Sequence, residues 1–250
     1  MSAHIEFREV SVHYGKKQSL DKLTFAVERN TVFGVVGPAN SGKTTMLKCI
    51  NRTIEFIDSA HVTGEVKVSG ENVREMRDVY ALRRRIGMVF PLPVGLPMSV
   101  YENVAYAPRR MGFSNKSELD AIVERCLRDS VLWDEVKDRL DLLGTRLSGG
   151  QQQRLTLARA LSLDPEILCL DEFSIAIDPV TTMKIEEVLT RLKEKMTIIL
   201  VTNLTQQARR MADKVAFIND SQLIEWGETE KMFTKPEKEI TGRYLNGEFG

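Results

Sequence analysis

Residues 37 to 44 read Gly37-Pro38-Ala39-Asn40-Ser41-Gly42-Lys43-Thr44, the pattern G-x-x-x-x-G-K-[ST] of a phosphate-binding loop. Glycines let such a backbone curl around an anion, with successive N–H groups pointing inward. The helix that follows adds a partial positive charge at its N-terminus. Lys43 supplies a full charge for β- and γ-phosphates, and the Thr44 hydroxyl is placed to ligate Mg²⁺. A second cluster closes the apolar run Ile167-Leu168-Cys169-Leu170 with two carboxylates. Asp171 can hold Mg²⁺ directly or through water, and Glu172 can orient or deprotonate an attacking water. Such a pair could also simply cap a strand; in a chain that carries a phosphate loop, phosphoryl chemistry is the stronger reading. A third cluster is Leu147-Ser148-Gly149-Gly150-Gln151-Gln152-Gln153-Arg154. There a hydroxyl and two glycine N–H groups stand at the start of a helix, a second anion site. Two phosphate sites for one nucleotide suggest a site shared between molecules.

The flanking patterns supply the elements that must position these groups. Thr31-Val32-Phe33-Gly34-Val35-Val36 reads as a buried strand entering the phosphate loop, and Thr45 to Ile50 as the start of a helix leaving it. Residues 4–10, 23–27 and 64–68 alternate as half-exposed antiparallel strands do. Lys116 to Leu127 has helical spacing with Ser117 as N-cap, and Val131 to Leu140 reads as a further helix around Trp133. Beyond residue 150 the pattern is β/α. Ile167–Leu170 and Thr197–Val201 are continuous apolar runs, expected as parallel strands covered on both faces. A helix over Pro179–Lys195 lies between them, and a late strand over Val215–Ile218 follows. The expected fold is α/β: one domain over residues 1–250, with a core at 1–91 and 151–250. An antiparallel β subdomain and a helical insertion at about 92–150 complete it.

Bulk properties narrow the function. The 250 residues are 42% hydrophobic and 28% charged, the composition of a folded domain. With 35 basic and 35 acidic residues, the formal net charge of +0 leaves no electrostatic footprint for nucleic acid. No apolar stretch reaches the roughly 18–20 residues that span a bilayer. The N-terminal residues lack a signal-peptide pattern, so a cytosolic protein is expected, held at a membrane only by a partner. Cys49, Cys126 and Cys169 lie in apolar patterns and read as reduced, buried thiols.

The stretch Leu147 to Arg154 matches L-S-G-G-Q-x-Q-R at every fixed position, and with it the chain resembles the ATP-binding subunit of ABC transporters. The resemblance implies a dimer that sandwiches two MgATP, each between the phosphate loop of one subunit and the signature of the other. It implies ATP contacts from Gly37 to Thr44 and from Thr45, signature contacts in trans from Ser148, Gly149, Gly150 and Gln151, and Mg²⁺ on Thr44 and Asp171. Catalysis would fall to Glu172, Lys43 and Asn203. Tyr14 matches the aromatic that stacks on adenine; as a bare residue it could equally be a strand-end aromatic. Asp178 matches the acid of the loop that communicates across the dimer, although Ile175 replaces that loop's usual serine. Pro91 stands where the family has a glutamine that touches Mg²⁺ or the attacking water, and proline offers neither a side-chain amide nor an N–H. Asn203 stands where the family has a histidine on the γ-phosphate; asparagine can hydrogen-bond but cannot carry charge. ATP binding with slowed hydrolysis is therefore expected.

Pro97 to Tyr106, Leu132 to Leu140, Thr205 to Arg210 and the tail Thr241 to Gly250 further resemble the ATPase subunit of inorganic phosphate importers. That resemblance implies a homodimer or heterodimer of ATPase subunits, two transmembrane permease subunits and an extracytoplasmic substrate-binding protein. It places the chain peripherally, on the cytoplasmic face of the membrane. Nothing in the chain itself contacts phosphate as cargo. Trp133 and the charges around it read as core packing and a solvated face. Pro97 and Met98 read equally as a partner surface or as core. Two alternatives are a soluble cassette ATPase and a nucleotide-binding regulatory or asymmetric subunit.

Overall fold

All the residues of the runs Val32–Val36, Ile167–Asp171 and Thr197–Val201 are buried, as continuous apolar strands covered on both faces must be. The computed structural model describes residues 3–249. Its strands are β1 (Ala3–Tyr14), β2 (Lys17–Glu28), β3 (Val32–Val36), β4 (Ala60–Val68), β5 (Glu71–Asn72), β6 (Ile86–Val89), β7 (Ile167–Asp171), β8 (Thr197–Val201), β9 (Lys214–Asn219) and β10 (Gln222–Glu228). Its helices are α1 (Lys43–Ile50), α2 (Val79–Arg84), α3 (Val100–Arg110), α4 (Lys116–Asp129), α5 (Trp133–Val136), α6 (Gly149–Leu161), α7 (Pro179–Leu192), α8 (Thr205–Met211), α9 (Thr229–Thr234) and α10 (Glu239–Leu245).

The strands form one mixed sheet in the order β5-β4-β1-β2-β10-β9-β3-β8-β7-β6. β6, β7, β8, β3 and β9 are parallel neighbours, so the chain leaves β3, β7 and β8 at a single edge. That edge is where ligands bind in open α/β sheets. β1, β2 and β4 pair antiparallel at the other side, and β10 bridges the two regions. Alternate residues of the central strands enter two separate cores. Val32, Leu168, Leu170, Ile198 and Leu200 face the helices α3 to α8, whereas Phe33, Val35, Cys169, Ile199 and Val201 face α1 and the antiparallel strands. Each large aliphatic side chain so buried contributes about 1.5–3 kcal/mol. On the second side Phe7, Phe25 and Phe33 stack in sequence.

Several local expectations change. Asn115, not Ser117, caps α4: its side chain accepts from the Ser117 N–H at 2.9 Å. The helix expected over residues 131–140 shrinks to the single turn of α5, and Val131, at φ 56°, lies outside it. α7 ends at Leu192 rather than Lys195. β10, α9 and α10 were not anticipated. Cys49, Cys126 and Cys169 are buried and free, and burial pushes the Cys49 and Cys126 thiols up to about 12. No described helix is long and apolar enough to cross a membrane.

Candidate nucleotide site

The loop from Gly37 to Thr44 joins the end of β3 to the start of α1, the strand–loop–helix context its motif requires. Glycine is obligatory at two of its positions. A Cβ on Gly37 would lie 2.0 Å from the Ile218 carbonyl oxygen, and Gly42 holds φ 108° with the Ser19 carbonyl 2.4 Å from where a Cβ would stand. Gly42 leaves the first turn of α1 without a side-chain cap. Its N–H groups are therefore free to face an anion. Lys43 is buried, and its Nζ donates to the carbonyls of Gly37 and Pro38, both at 2.7 Å. Burial lowers its affinity for a proton, while the carboxylates of Glu172 and Asp171 raise it. Thr45 Oγ1 meets the hydroxyls of Ser19 at 2.9 Å and Tyr14 at 3.1 Å, so Tyr14 sits half-buried at the rim of the loop. Ser41 Oγ is buried without a hydrogen-bond partner in the same turn.

The end of β7 brings the acids to this loop. Thr44 Oγ1 donates to Asp171 Oδ2 at 2.7 Å. Burial raises the Asp171 pKa, the Thr44 hydrogen bond lowers it, and neighbouring Glu172 raises it again. Glu172 adopts φ 47°, and its N–H donates to the Val201 carbonyl at 2.8 Å, which joins the ends of β7 and β8. An open cleft of ≈ 300 Å³ is lined by Ala39, Asn40, Gly42, Lys43, Thr44, Thr45, Pro91 and Glu172. Pro91 thus lies beside the phosphate loop and Glu172. Asn203 is exposed just past β8, after Thr202, whose N–H donates to the Val35 carbonyl. The hydroxyl and carboxylate of Thr44 and Asp171 are hard oxygen donors suited to Mg²⁺, which typically takes few protein ligands and completes its shell with phosphate oxygens and water.

The signature segment lies apart from this cleft, at the start of α6. Ser148 and Gln151 form a reciprocal capping box: the Ser148 N–H donates to Gln151 Oε1 at 3.0 Å, and the Gln151 N–H donates to Ser148 Oγ at 3.4 Å. Gly149 faces open space, while Gly150 packs against the Ala176 carbonyl of the loop that follows Glu172. Asp178 ends that loop, exposed, and caps α7 by accepting from the Thr181 N–H at 2.9 Å; that bond lowers its pKa. Ile175 in the same loop is 61% exposed.

Glu135, assigned to a solvated face by its neighbours, instead holds the signature helix. It accepts from Arg154 Nη1 at 2.6 Å and Nη2 at 3.2 Å, and from Gln151 Nε2 at 2.8 Å. Arg154 also donates to the Val131 carbonyl at 2.6 Å and is nearly buried. Gln153 Nε2 donates to the Phe90 carbonyl at 2.9 Å, and the Gly95 N–H donates to Gln152 Oε1 at 3.1 Å. The two glutamines tie α6 to the segment that carries Pro91. A charged residue 12 positions before the signature was the available signal for Glu135; its partner could not be read from spacing.

Comparison with known proteins identifies the family and the fold. A family model described as ABC transporter matches residues 20–174. The phosphate import ATP-binding protein PstB of Shewanella denitrificans is 44% identical over 247 residues, covering 98% of this chain and 91% of that protein. A dimeric post-hydrolysis structure of the ATP-binding cassette MJ0796, bound to ADP and Pi, is 26% identical with a TM-score of 0.78, covering 90% of this chain and 98% of that one. The cbiO1 structure from Clostridium perfringens, part of the ABC transporter complex cbiONQ, has a TM-score of 0.80 at 23% identity, over 95% of this chain and 93% of that one. With its phosphate loop, paired acids and complete signature on this fold, the chain belongs to the ABC transporter family.

Proposed function

We propose that this chain is the ATP-binding and hydrolysing subunit of an importer for inorganic phosphate, with ATP and Mg²⁺ as its ligands. The observation that carries this is the cleft in which the phosphate loop and Glu172 converge, with Asp171 buried behind it on the Thr44 hydroxyl, while Ser148 and Gly149 of the signature are exposed to solvent. The cargo follows from the 44% identity to proteins named for phosphate import.

The loop from Gly37 to Thr45 would wrap the phosphates with its N–H groups, and Tyr14 would contact the adenine. Lys43 is already desolvated, and would exchange the Gly37 and Pro38 carbonyls for phosphate oxygens. Thr44 and Asp171 would hold Mg²⁺, which neutralises charge on the transferred phosphoryl group. Glu172 would accept the proton of the attacking water. Ser148, Gly149, Gly150 and Gln151 would close over the nucleotide of a second copy, with Asp178 and its loop at the seam. Asn203 would reach the γ-phosphate with a neutral amide, and Pro91 offers no donor at all, so turnover is slow. One lost preorganised contact costs ~10²–10³ in rate.

The helical segment at about 92–150 would act as a subdomain that docks the permease subunits together with the Pro91 segment. Leu92 and Val94 are exposed there, at 77% and 53%. Two such chains, two permease subunits and an extracytoplasmic binding protein would make the importer, with this chain on the cytoplasmic face of the membrane. The test is hydrolysis by the assembly reconstituted in vesicles with phosphate-loaded binding protein. Phosphate should stimulate ATP turnover, sulfate should not, and Glu172→Gln should abolish the stimulation. Equal stimulation by sulfate would refute the cargo, and none by any solute would refute the coupling.

A further inference from the structure

Two loops leave neighbouring parallel strands and carry residues assigned to hydrolysis. One follows β7 and holds Glu172 and Ser174; the other follows β8 and holds Thr202 and Asn203. The backbone joins them once, where the Glu172 N–H meets the Val201 carbonyl. Side chains join them again, farther along. Gln207, in the first turn of α8, is 1% exposed. Its Nε2 donates to Ser174 Oγ at 3.3 Å and to Glu186 Oε1 of α7 at 3.1 Å. The Glu186 side chain is itself only 8% exposed. Arg210 of α8 holds it from the solvent side, with Nε on Oε2 at 2.9 Å and Nη2 on Oε1 at 2.8 Å. Glu186 also decides which way the Gln207 amide faces, because the reverse orientation would set a carbonyl oxygen against a carboxylate. Gln207 Oε1 is then buried with no hydrogen-bond partner among the described residues. A buried, unpaired acceptor opposes folding, and an apolar side chain of the same length would avoid it. The amide is kept where it bridges the two loops.

α8 starts directly behind Asn203. The Leu204 N–H donates to Thr202 Oγ1 at 3.0 Å, and the Gln207 N–H donates to the Leu204 carbonyl at 2.9 Å. Asn203 is thus held between the end of β8 and a helical turn that Gln207 pins to Ser174, two residues beyond Glu172. We propose that Gln207 is a positioning residue: its amide fixes the Asn203 segment against the Glu172 loop and so aims Asn203 at the γ-phosphate. Gln207 itself touches no nucleotide. The proposal rests on the nucleotide reading of the cleft, and its test separates the two.

MgATP and MgADP are titrated against the full-length protein carrying Glu172→Gln, which blocks turnover. The same protein is then tested with Gln207→Met, Ser174→Ala, Asn203→Ala, and Gln207→Met with Asn203→Ala. Gln207→Met keeps the length of the side chain, and Arg210 still pairs Glu186, so no charge is stranded. Ser174→Ala leaves Gln207 on Glu186 and removes only the bond between the loops. Each single change should weaken ATP about threefold to tenfold, the scale of one net hydrogen bond. ADP has no γ-phosphate, and its Kd should stay within twofold throughout. The double variant should bind ATP no more weakly than the weaker of its two single changes, because both remove one interaction. If Gln207→Met or Ser174→Ala leaves ATP within twofold, the bridge does not position Asn203 and the proposal fails. It fails equally if ATP and ADP weaken together, which is general damage to the fold, or if the losses in the double variant multiply, which makes Gln207 and Asn203 independent. A Glu172→Gln protein that binds neither nucleotide overturns the nucleotide reading itself, and the proposal with it.

Discussion

Replacing Glu135 with alanine should uncouple the two halves of the shared site. Arg154 has a side chain only 7% exposed, and its charge is met by Glu135, which is 43% exposed. Removing one partner of a fully buried pair costs ~3–5 kcal/mol, whereas an exposed pair contributes only ~0.2–1 kcal/mol. With Glu135 half in water and the Val131 carbonyl still bonded to Arg154, the expected loss is about 2 kcal/mol, or about 4–8 °C in Tm for a chain of this size. The phosphate loop is untouched, so the Kd for MgATP should not move. The signature loses the acceptor of Gln151 and Arg154, so hydrolysis should fall by about 10- to 100-fold, the scale of a small misplacement of a reacting assembly. Arg154, then burial in opposition, then Gln151 set the Glu135 pKa, which lies below the usual carboxylate range. A carboxyl lowered in this way stabilises the fold at pH above its unfolded value, and the stabilisation is lost as pH falls through the lowered folded value. The Tm gap between parent and Glu135→Gln should accordingly close below the ordinary glutamate range. Thermal melts, nucleotide titration and steady-state hydrolysis on one preparation test all three statements. Nucleotide affinity falling in step with hydrolysis, or a Tm equal to that of the parent, would refute the reasoning.

Asp171 is buried with a raised pKa, so as an ion at neutral pH it opposes folding; Asp171→Asn keeps an acceptor for Thr44, and should raise the nucleotide-free Tm by about 2–4 °C while removing Mg²⁺-dependent hydrolysis. Gly37→Ala would set a Cβ 2.0 Å from the Ile218 carbonyl, and should abolish ATP binding in a titration of the folded fraction. Asn203→His combined with Pro91→Gln should raise steady-state hydrolysis by about 10²-fold by restoring a charge and an amide, without tightening ATP; an unchanged rate would mean that another group already serves.

The phosphate loop, the two acids and the signature were legible because each is contiguous, and the physical reason for each residue is local to its own few positions. The buried parallel strands β3, β7 and β8 were legible for a similar reason: unbroken apolar runs have few other homes. Pro91 was assigned by its place after a strand, and it lies beside Glu172 in the cleft. What escaped were partnerships across the fold. Glu135 looked like one more charge on a wet helix, and only the approach of α6 turns it into the anchor of Arg154 and Gln151. Tyr244 belongs to a tail whose pattern announces no strand or long helix, and its buried stack on Phe217 depends on where β9 runs. The helix expected at residues 131–140 starts late because Val131 is left-handed, a backbone choice that apolar spacing does not encode. β10 was missed because its exposure is mixed, with neither strict alternation nor a continuous apolar run.

The most direct measurement is steady-state MgATP hydrolysis by the purified protein beside its Glu172→Gln variant, with ATP binding measured on both. Equal ATP affinity, a slow but definite turnover in the parent and none in the variant are expected. A parent whose turnover matches that of Glu172→Gln while both bind ATP would contradict the claim that this chain is a hydrolysing subunit.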